Sequence, residues 1–216
     1  MTVRAKICGL NDPAGVRAAI DGGAAFIGLV FYPPSPRAVT PARAAELAAP
    51  VPAEVGKVGL FVDATDDEID AVLAVTSLDM LQLHGGESPE RVADLRKRTG
   101  LKVMKVIKVA GPTDLEAAPG WCDVADWLLF DARPPKNMKN ALPGGNALAF
   151  DWMLLKDREF PRPWMLAGGL DAENVGEAVR LSGARYVDTS SGVEDSPGVK
   201  NPEKIRAFLK AVASAG

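Results

Sequence analysis

Several short apolar runs of this sequence end on an ionisable side chain that could take part in chemistry. These side chains are Cys8, Asp63, His84, Asp131 and Asp188. A thiolate can act as a nucleophile or a general base, and a carboxylic acid can donate a proton when its surroundings raise its pKa. Alone, each residue is more ordinarily a helix cap, an ion-pair partner or a core filler. Together, they indicate a reaction centre.

Cys8 could serve as either kind of catalyst. Residues two apart on a strand share a face, so Arg4 and Lys6 lie on the same side as Cys8, where a cation would favour the thiolate. A nucleophilic cysteine usually works with a histidine, and the sequence has one, His84. A cysteine base paired with an acid such as Asp131 fits at least as well. Both roles stay open on the residues alone.

A phosphate site is expected in the last quarter of the chain. Gly168 and Gly169 end one apolar run, and Ser190-Ser191-Gly192 follows the next. Small residues let the backbone approach an anion closely, and barrel enzymes often hold phosphate with the loops after their last two strands. The two motifs together predict phosphate binding, with an ordinary pair of turns as the alternative.

Eight short runs, rich in apolar and β-branched residues, must position these groups. They recur about every 26 residues, which matches a (β/α)8 barrel better than an open doubly wound sheet. We therefore expect one α/β barrel domain over residues 1–216, with the phosphate site at the C-terminal ends of strands 7 and 8. The predicted strands are 4–7, 27–31, 57–62, 80–83, 103–107, 127–130, 164–167 and 185–188.

Helix signals lie between the runs. A capping residue directly precedes a proline at four places, a pattern typical of a helix start. These pairs begin at Asp12, Thr40, Ser88 and Asn201. Thr65 to Glu68 forms a capping-box pattern. The longest interval between runs contains a proline- and glycine-rich stretch at 133–145, which is either a mobile lid on the catalytic face or a tolerated surface insertion.

Composition limits the partners. Of the 216 residues, 47% are hydrophobic and 25% are charged, the balance of a packed globular protein. A net charge of −3 argues against non-specific nucleic-acid binding. No run is long enough for a membrane span, no secretory signal is visible, and Cys8 and Cys122 are expected to be free thiols. We therefore expect a cytoplasmic protein that binds a phosphorylated small molecule.

Seven ordered motifs run along the chain from the first predicted strand to the last. They are Lys6-Ile7-Cys8-Gly9, Phe31 to Arg37, Val58 to Val62, Gln82 to Gly85, Phe150 to Trp152, Ala167 to Leu170 and Val187 to Glu194. Together they resemble the motifs of phosphoribosylanthranilate isomerases, which perform an Amadori rearrangement in tryptophan biosynthesis.

The resemblance implies general acid/base catalysis with no metal and no organic cofactor. Asp131 would protonate the ribose ring oxygen to open the ring into a Schiff base, and Cys8 would then remove the C2 proton. Arg37 would face the anthranilate carboxylate, which suits a planar guanidinium. The other substrate-binding residues implied are Gln82, His84, Asp188, Gly168, Gly169, Ser191 and Gly192. For His84 we favour a structural or substrate-edge role over catalysis.

Two positions depart from the family pattern. The family commonly has Gly-Gly-Thr-Gly or Gly-Gly-Ser-Gly before its Phe-Asp-Trp motif, where this chain has Gly144-Gly145-Asn146-Ala147. This difference would stiffen the loop. The sixth strand of the family typically ends with Asp followed by Thr or Ser, whereas Ala132 follows Asp131 here. The missing hydroxyl would alter how Asp131 is held.

Two other functions stay open on the residues. An epimerase or aldolase-like lyase would share the phosphate site but would need a metal cluster, which one histidine supports poorly, or a Schiff-base lysine such as Lys6 or Lys105. A metabolite sensor would keep the glycine and serine motifs without needing Cys8 and Asp131. The oligomeric state stays open between a monomer and a homodimer.

Overall fold

Eight parallel strands close into a barrel in the computed structural model, which describes residues 2–135, 138 and 142–216. The strands are β1 (Arg4–Cys8), β2 (Phe26–Val30), β3 (Gly56–Phe61), β4 (Met80–Leu83), β5 (Lys102–Val109), β6 (Trp127–Ala132), β7 (Trp164–Leu166) and β8 (Tyr186–Thr189). All eight predicted strands are confirmed, and no end differs from its prediction by more than two residues. β8 pairs with β1 to close the ring, in a register that sets Asp188 beside Lys6.

Helices follow most strands and pack on the outside of the barrel. They are α1 (Pro13–Asp21), α2 (Pro41–Ala48), α3 (Asp66–Leu73), α4 (Pro89–Thr99), α5 (Ala118–Trp121), α6 (Val175–Ser182) and α7 (Pro202–Ser214). The predicted caps are confirmed, because the side chains before α1, α2, α4 and α7 each accept a backbone N–H of the first turn. Thr65 and Glu68 form the predicted capping box of α3.

The links that flank β6 differ from the expected regular strand-helix units. Between β5 and β6 lie a 3-10 turn (Pro112–Leu115) and the short α5, which Pro119 and Gly120 keep to one turn. In the described part of the link to β7, the helical structure is a single 3-10 turn (Trp152–Leu155). The prolines at 161 and 163 then prevent a helix from continuing.

A small hairpin that the sequence did not predict follows β8. The chain makes a 3-10 turn (Ser191–Val193), and β9 (Glu194–Ser196) then pairs antiparallel with β10 (Val199–Lys200). The turn between them packs against the loop after β2, because a side chain at Gly198 would strike the carbonyl of Pro36. The hairpin therefore joins the last loop of the barrel to the second.

Strand alternation divides the buried apolar side chains into separate sets. One set packs between strands and helices and includes Ile7, Ile27 and Leu81. A second set fills the barrel interior: Val58, Met80, Met104, Val106, Trp127, Leu129, Met165 and Ala167. The same strands also bury polar side chains, among them Lys6, Gln82, Lys105 and Asp188. A packed interior that also buries charge is the setting for the site.

Candidate active site

Strand ends and loops on one face of the barrel line a cavity that is partly open to solvent, with about 750 Å³ of empty space. Every candidate named from the sequence as catalytic or substrate-binding lines this cavity, except Gly192. The lining candidates are Cys8, Arg37, Gln82, His84, Asp131, Gly168, Gly169, Asp188 and Ser191. The fold thus brings together residues from β1, β4, β6, β8 and four loops.

Cys8 ends β1 with 4% of its surface exposed. Burial raises the pKa of its thiol, and the neighbouring Asp188 carboxylate raises it further, while the Lys6 and Lys200 ammonium groups oppose the shift without reversing it. The expected cation beside Cys8 is therefore present, but it does not make the thiolate the resting form. Arg4, the other cation on that face, lies at the exposed start of the strand.

Lys6 and Asp188 form a buried ion pair beside the thiol. The Lys6 Nζ donates to Asp188 Oδ1 at 2.9 Å, and the two side chains are 0% and 9% exposed. Burial alone would lower the pKa of Lys6, but Asp188 and Cys8 raise it above its ordinary value. A lysine held as a cation in this way is a poor Schiff-base nucleophile.

Gln82, His84 and Asp131 form a chain of polar groups across the cavity wall. Gln82 Nε2 lies 3.3 Å from His84 Nδ1, and His84 Nε2 lies 3.3 Å from Asp131 Oδ2. A Gln82 amide that donates to Nδ1 leaves the proton of neutral His84 on Nε2, which faces Asp131. The other Asp131 oxygen accepts the backbone N–H of Ala132 at 2.9 Å. His84 therefore lies beside the candidate acid.

Arg37 reaches the cavity from the loop after β2, and most of its donors are already used. Glu194 accepts from Arg37 Nε and Nη2 at 2.8 Å each, and the carbonyl of Gly145 accepts from Nη2 at 3.2 Å. Lys200 donates to the same carboxylate at 2.7 Å. Sequence reasoning assigned no role to Glu194 or Lys200, since only the hairpin after β8 brings them to Arg37.

The two loops expected to bind phosphate meet at the edge of the cavity. Gly168 and Gly169 have φ values of +91° and +63°, which favour glycine. A side chain at Gly169 would lie within 3.1 Å of the backbone of Leu148 and Ala149, so the turn also needs the space. Gly192 packs against the backbone carbonyl of Leu170 instead of lining the cavity. Its contact with phosphate stays a prediction.

The Gly144-Gly145-Asn146-Ala147 stretch covers the cavity. The Asn146 side chain both accepts from the N–H and donates to the carbonyl of Leu142, at 3.0 and 2.8 Å, and so fixes the turn. Ala147 has a φ of +54°, an unusual conformation for alanine. Whether the 133–145 stretch moves as a lid stays a prediction, and residues 136, 137 and 139–141 lie outside the described part of the chain.

Two further groups from the sequence analysis have structural contacts. Asp63 accepts the N–H of Gly86 at 2.7 Å and lies outside the main cavity. Lys105 Nζ lies 2.5 Å from Glu87 Oε2, and both side chains are buried. This ion pair explains why Lys105 points inward. In the described residues, no group of three or more His, Cys, Asp or Glu side chains is placed to hold a metal ion. No helix there is long and apolar enough to cross a membrane.

Comparisons with known proteins agree along almost the whole chain. A family model described as N-(5'-phosphoribosyl)anthranilate (PRA) isomerase matches residues 5–211. An N-(5'-phosphoribosyl)anthranilate isomerase from Paracoccus denitrificans is 58% identical, over 97% of this chain and 96% of that protein. The crystal structure of phosphoribosyl anthranilate isomerase from Thermotoga maritima has a TM-score of 0.87 at 33% identity, covering 99% of this chain and 100% of that one.

A second solved structure adds a ligand. It is a phosphoribosyl anthranilate isomerase in complex with reduced 1-(o-carboxyphenylamino)-1-deoxyribulose 5-phosphate, with a TM-score of 0.84 at 32% identity. The match covers 99% of this chain and 100% of that one. That relative therefore binds a phosphorylated molecule that also carries a carboxylate.

Proposed function

This chain belongs to the N-(5'-phosphoribosyl)anthranilate isomerase family, and we propose how its own side chains perform the reaction. The enzyme converts N-(5-phosphoribosyl)anthranilate to 1-(2-carboxyphenylamino)-1-deoxyribulose 5-phosphate, an Amadori rearrangement of tryptophan biosynthesis. It is an intramolecular oxidoreductase. C1 of the sugar is reduced, C2 is oxidised, and no atom is gained or lost.

Asp131 acts first, as the general acid. It gives its proton to the ribose ring oxygen while the bond from that oxygen to C1 breaks. The lone pair of the anthranilate nitrogen forms the C1=N bond, so ring opening yields a protonated Schiff base and leaves Asp131 as a carboxylate. A positioned acid is needed because the ring oxygen would otherwise leave as an unstable alkoxide.

Cys8 acts second, as the general base. The thiol first loses its proton to solvent. The thiolate then takes the proton from C2, the electrons form the C1=C2 bond, and the C1=N electrons return to nitrogen. The resulting enolamine becomes the ketose when its hydroxyl loses a proton and C1 gains one. Burial raises the pKa of Cys8, so the thiolate is a strong base once formed. The sulfur forms no covalent bond to the substrate.

Arg37 and the glycine and serine loops hold the two anionic ends of the substrate. Arg37 faces the anthranilate carboxylate, and the phosphate rests on Gly168, Gly169 and Ser191, with Gly192 behind them. Gln82, His84 and Asp188 contact the substrate between these ends. The observation that carries the proposal is that Cys8 and Asp131 line one cavity together with Arg37 and these loops.

The test is turnover of phosphoribosylanthranilate, followed by the loss of its fluorescence. Cys8→Ala and Asp131→Asn should each lower kcat by about a hundredfold or more, the usual contribution of one acid or base. Cys122→Ala is the matched control, because that thiol lies outside the cavity. Folded Cys8→Ala and Asp131→Asn proteins that keep near wild-type turnover would exclude the assigned roles.

We further propose that the enzyme works in the cytoplasm, as a monomer or a homodimer. Both cysteines are free thiols, as is usual in a reducing compartment. One similar Thermotoga maritima isomerase is described as dimeric. Cell fractionation tests the first statement, and light scattering of the purified protein tests the second.

A further inference from the structure

Arg37 is held in place by a carboxylate that belongs to the small hairpin rather than to the barrel. Glu194 accepts from two nitrogens of the guanidinium, and the two side chains are 3% and 5% exposed. A two-point contact of this kind fixes the plane of the guanidinium as well as its position. In the described residues, the Nη1 nitrogen, which lies beside Gly145, donates no hydrogen bond to the protein.

Lys200 extends this contact to the turn after β8. Its Nζ donates to Glu194 at 2.7 Å, to the carbonyl of Ser190 at 2.8 Å and to the Ser190 hydroxyl at 3.2 Å. The lysine side chain is 0% exposed. Ser190 and Ser191 line the cavity at the expected phosphate end. One carboxylate therefore contacts the Arg37 side chain directly and, through Lys200, the backbone at Ser190.

The charge of the network suits this arrangement. Burial alone would raise the pKa of Glu194, but hydrogen bonds from Arg37 and the charge of Lys200 bring that pKa below its ordinary value. The carboxylate is therefore ionised at neutral pH. Burial lowers the pKa of Lys200, and Glu194 opposes that shift. The protonated lysine, the Arg37 guanidinium and one carboxylate together carry a net positive charge, which favours an anionic substrate beside them.

We propose that Glu194 is a positioning residue that orients Arg37 toward the substrate carboxylate. The proposal rests on the function proposed above. The stem of Arg37 already packs against Gly9, where an added Cβ would lie 2.7 Å from Arg37 Cδ. Glu194 and the Gly145 carbonyl constrain the guanidinium head, and Glu194 supplies two of these three hydrogen bonds. Without Glu194, substrate binding must order a less constrained guanidinium.

The experiment compares two ligands on three variants. The ligands are reduced 1-(o-carboxyphenylamino)-1-deoxyribulose 5-phosphate and the same compound without its ring carboxylate. Glu194→Gln removes the carboxylate charge. The double variant Glu194→Gln/Lys200→Met also removes the lysine charge. Because the double variant keeps the net charge of the network, it is less prone to misfold. Asp195→Asn is the matched control, because Asp195 is the next residue of β9 and its partner Lys204 is half exposed.

Glu194→Gln should raise the Kd of the carboxylated ligand about tenfold, the usual effect of weakening one hydrogen bond between charged groups. The ligand without the carboxylate should bind Glu194→Gln as well as it binds the wild type. In turnover, KM should rise about tenfold while kcat stays within about twofold, since Cys8 and Asp131 are untouched. Asp195→Asn should match the wild type in every measurement.

Two results would overturn the proposal. If Glu194→Gln raises the Kd of both ligands equally, Glu194 only supports the fold. Unchanged Kd and KM in both Glu194 variants would mean that Arg37 needs no positioning. These outcomes are distinct from failure of the proposed function, which would appear as a wild-type protein that does not turn over phosphoribosylanthranilate.

Discussion

Replacing Lys6 with methionine tests the buried charge beside the proposed base. Methionine keeps much of the length of the side chain but removes the ammonium group that donates to Asp188 at 2.9 Å. Asp188 then stays buried without its partner. Removing one member of a buried ion pair typically costs about 3–5 kcal/mol, because the remaining charge has lost its solvation and its partner. In a protein of this size we expect Tm to fall by roughly 6–20 °C.

The stability lost on replacing Lys6 with methionine should be smaller at low pH. Burial raises the pKa of Asp188 even in the wild type, and Lys6 opposes that shift. Removing Lys6 raises the pKa of Asp188 further, so the folded variant takes up a proton more readily than the unfolded chain. A group that binds protons more tightly in the folded state stabilises the fold as pH falls. Lys6→Met should therefore be less destabilised at pH 5 than at pH 8.

Urea unfolding at both pH values measures the free energy of unfolding. Asp188→Asn and the double variant Lys6→Met/Asp188→Asn complete a double-mutant cycle. The double variant should lose less stability than the two single losses added together. A Lys6→Met protein within about 0.5 kcal/mol of the wild type, the range of neutral surface changes, would refute the reasoning. So would a large loss that is the same at both pH values, since that would indicate lost packing rather than an unpaired charge.

Three further predictions concern the loops and the thiol. Gly144→Ala places a Cβ 2.5 Å from His84 Cε1 and 2.9 Å from Asp131 Oδ2, so steady-state kinetics should show kcat/KM lower by about tenfold or more, with little change in Tm. Gly192→Ala drives a methyl group into the Leu170 carbonyl, and urea unfolding should show a loss of about 1–3 kcal/mol. Because burial raises the pKa of Cys8, iodoacetamide should alkylate it half-maximally at a higher pH than an ordinary thiol, and Lys6→Met should move that midpoint higher still. A midpoint below the ordinary value would contradict the pKa argument.

Local patterns in the sequence predict the elements of this fold well. The eight strands form the barrel wall, and their short apolar, β-branched runs are readable without tertiary information. Caps are equally local, since Asp12 or Thr65 needs only the next three residues to form its hydrogen bonds. Once the barrel is assumed, the ends of the strands must meet on one face. This is why Cys8 and Asp131 could be placed together in advance.

Irregular links were predicted less well. In its described part, the β6 to β7 connection has a 3-10 turn instead of a regular helix, and the prolines that follow lack donors that a longer helix would require. The hairpin after β8 is two short strands, of three and two residues. Segments that short have no periodicity to detect. Their structure depends on contacts with the loop after β2.

The amino-acid sequence alone predicts the barrel, the polar strand ends and the family. How the charges are paired becomes visible in the folded protein. Lys6 was expected to activate Cys8, but it also pairs with Asp188, and the cost of burying the thiol outweighs its influence. Arg37 is held by Glu194, which lies 157 positions away along the chain. Such pairings depend on distance and burial in three dimensions, and a linear pattern of residue types carries neither.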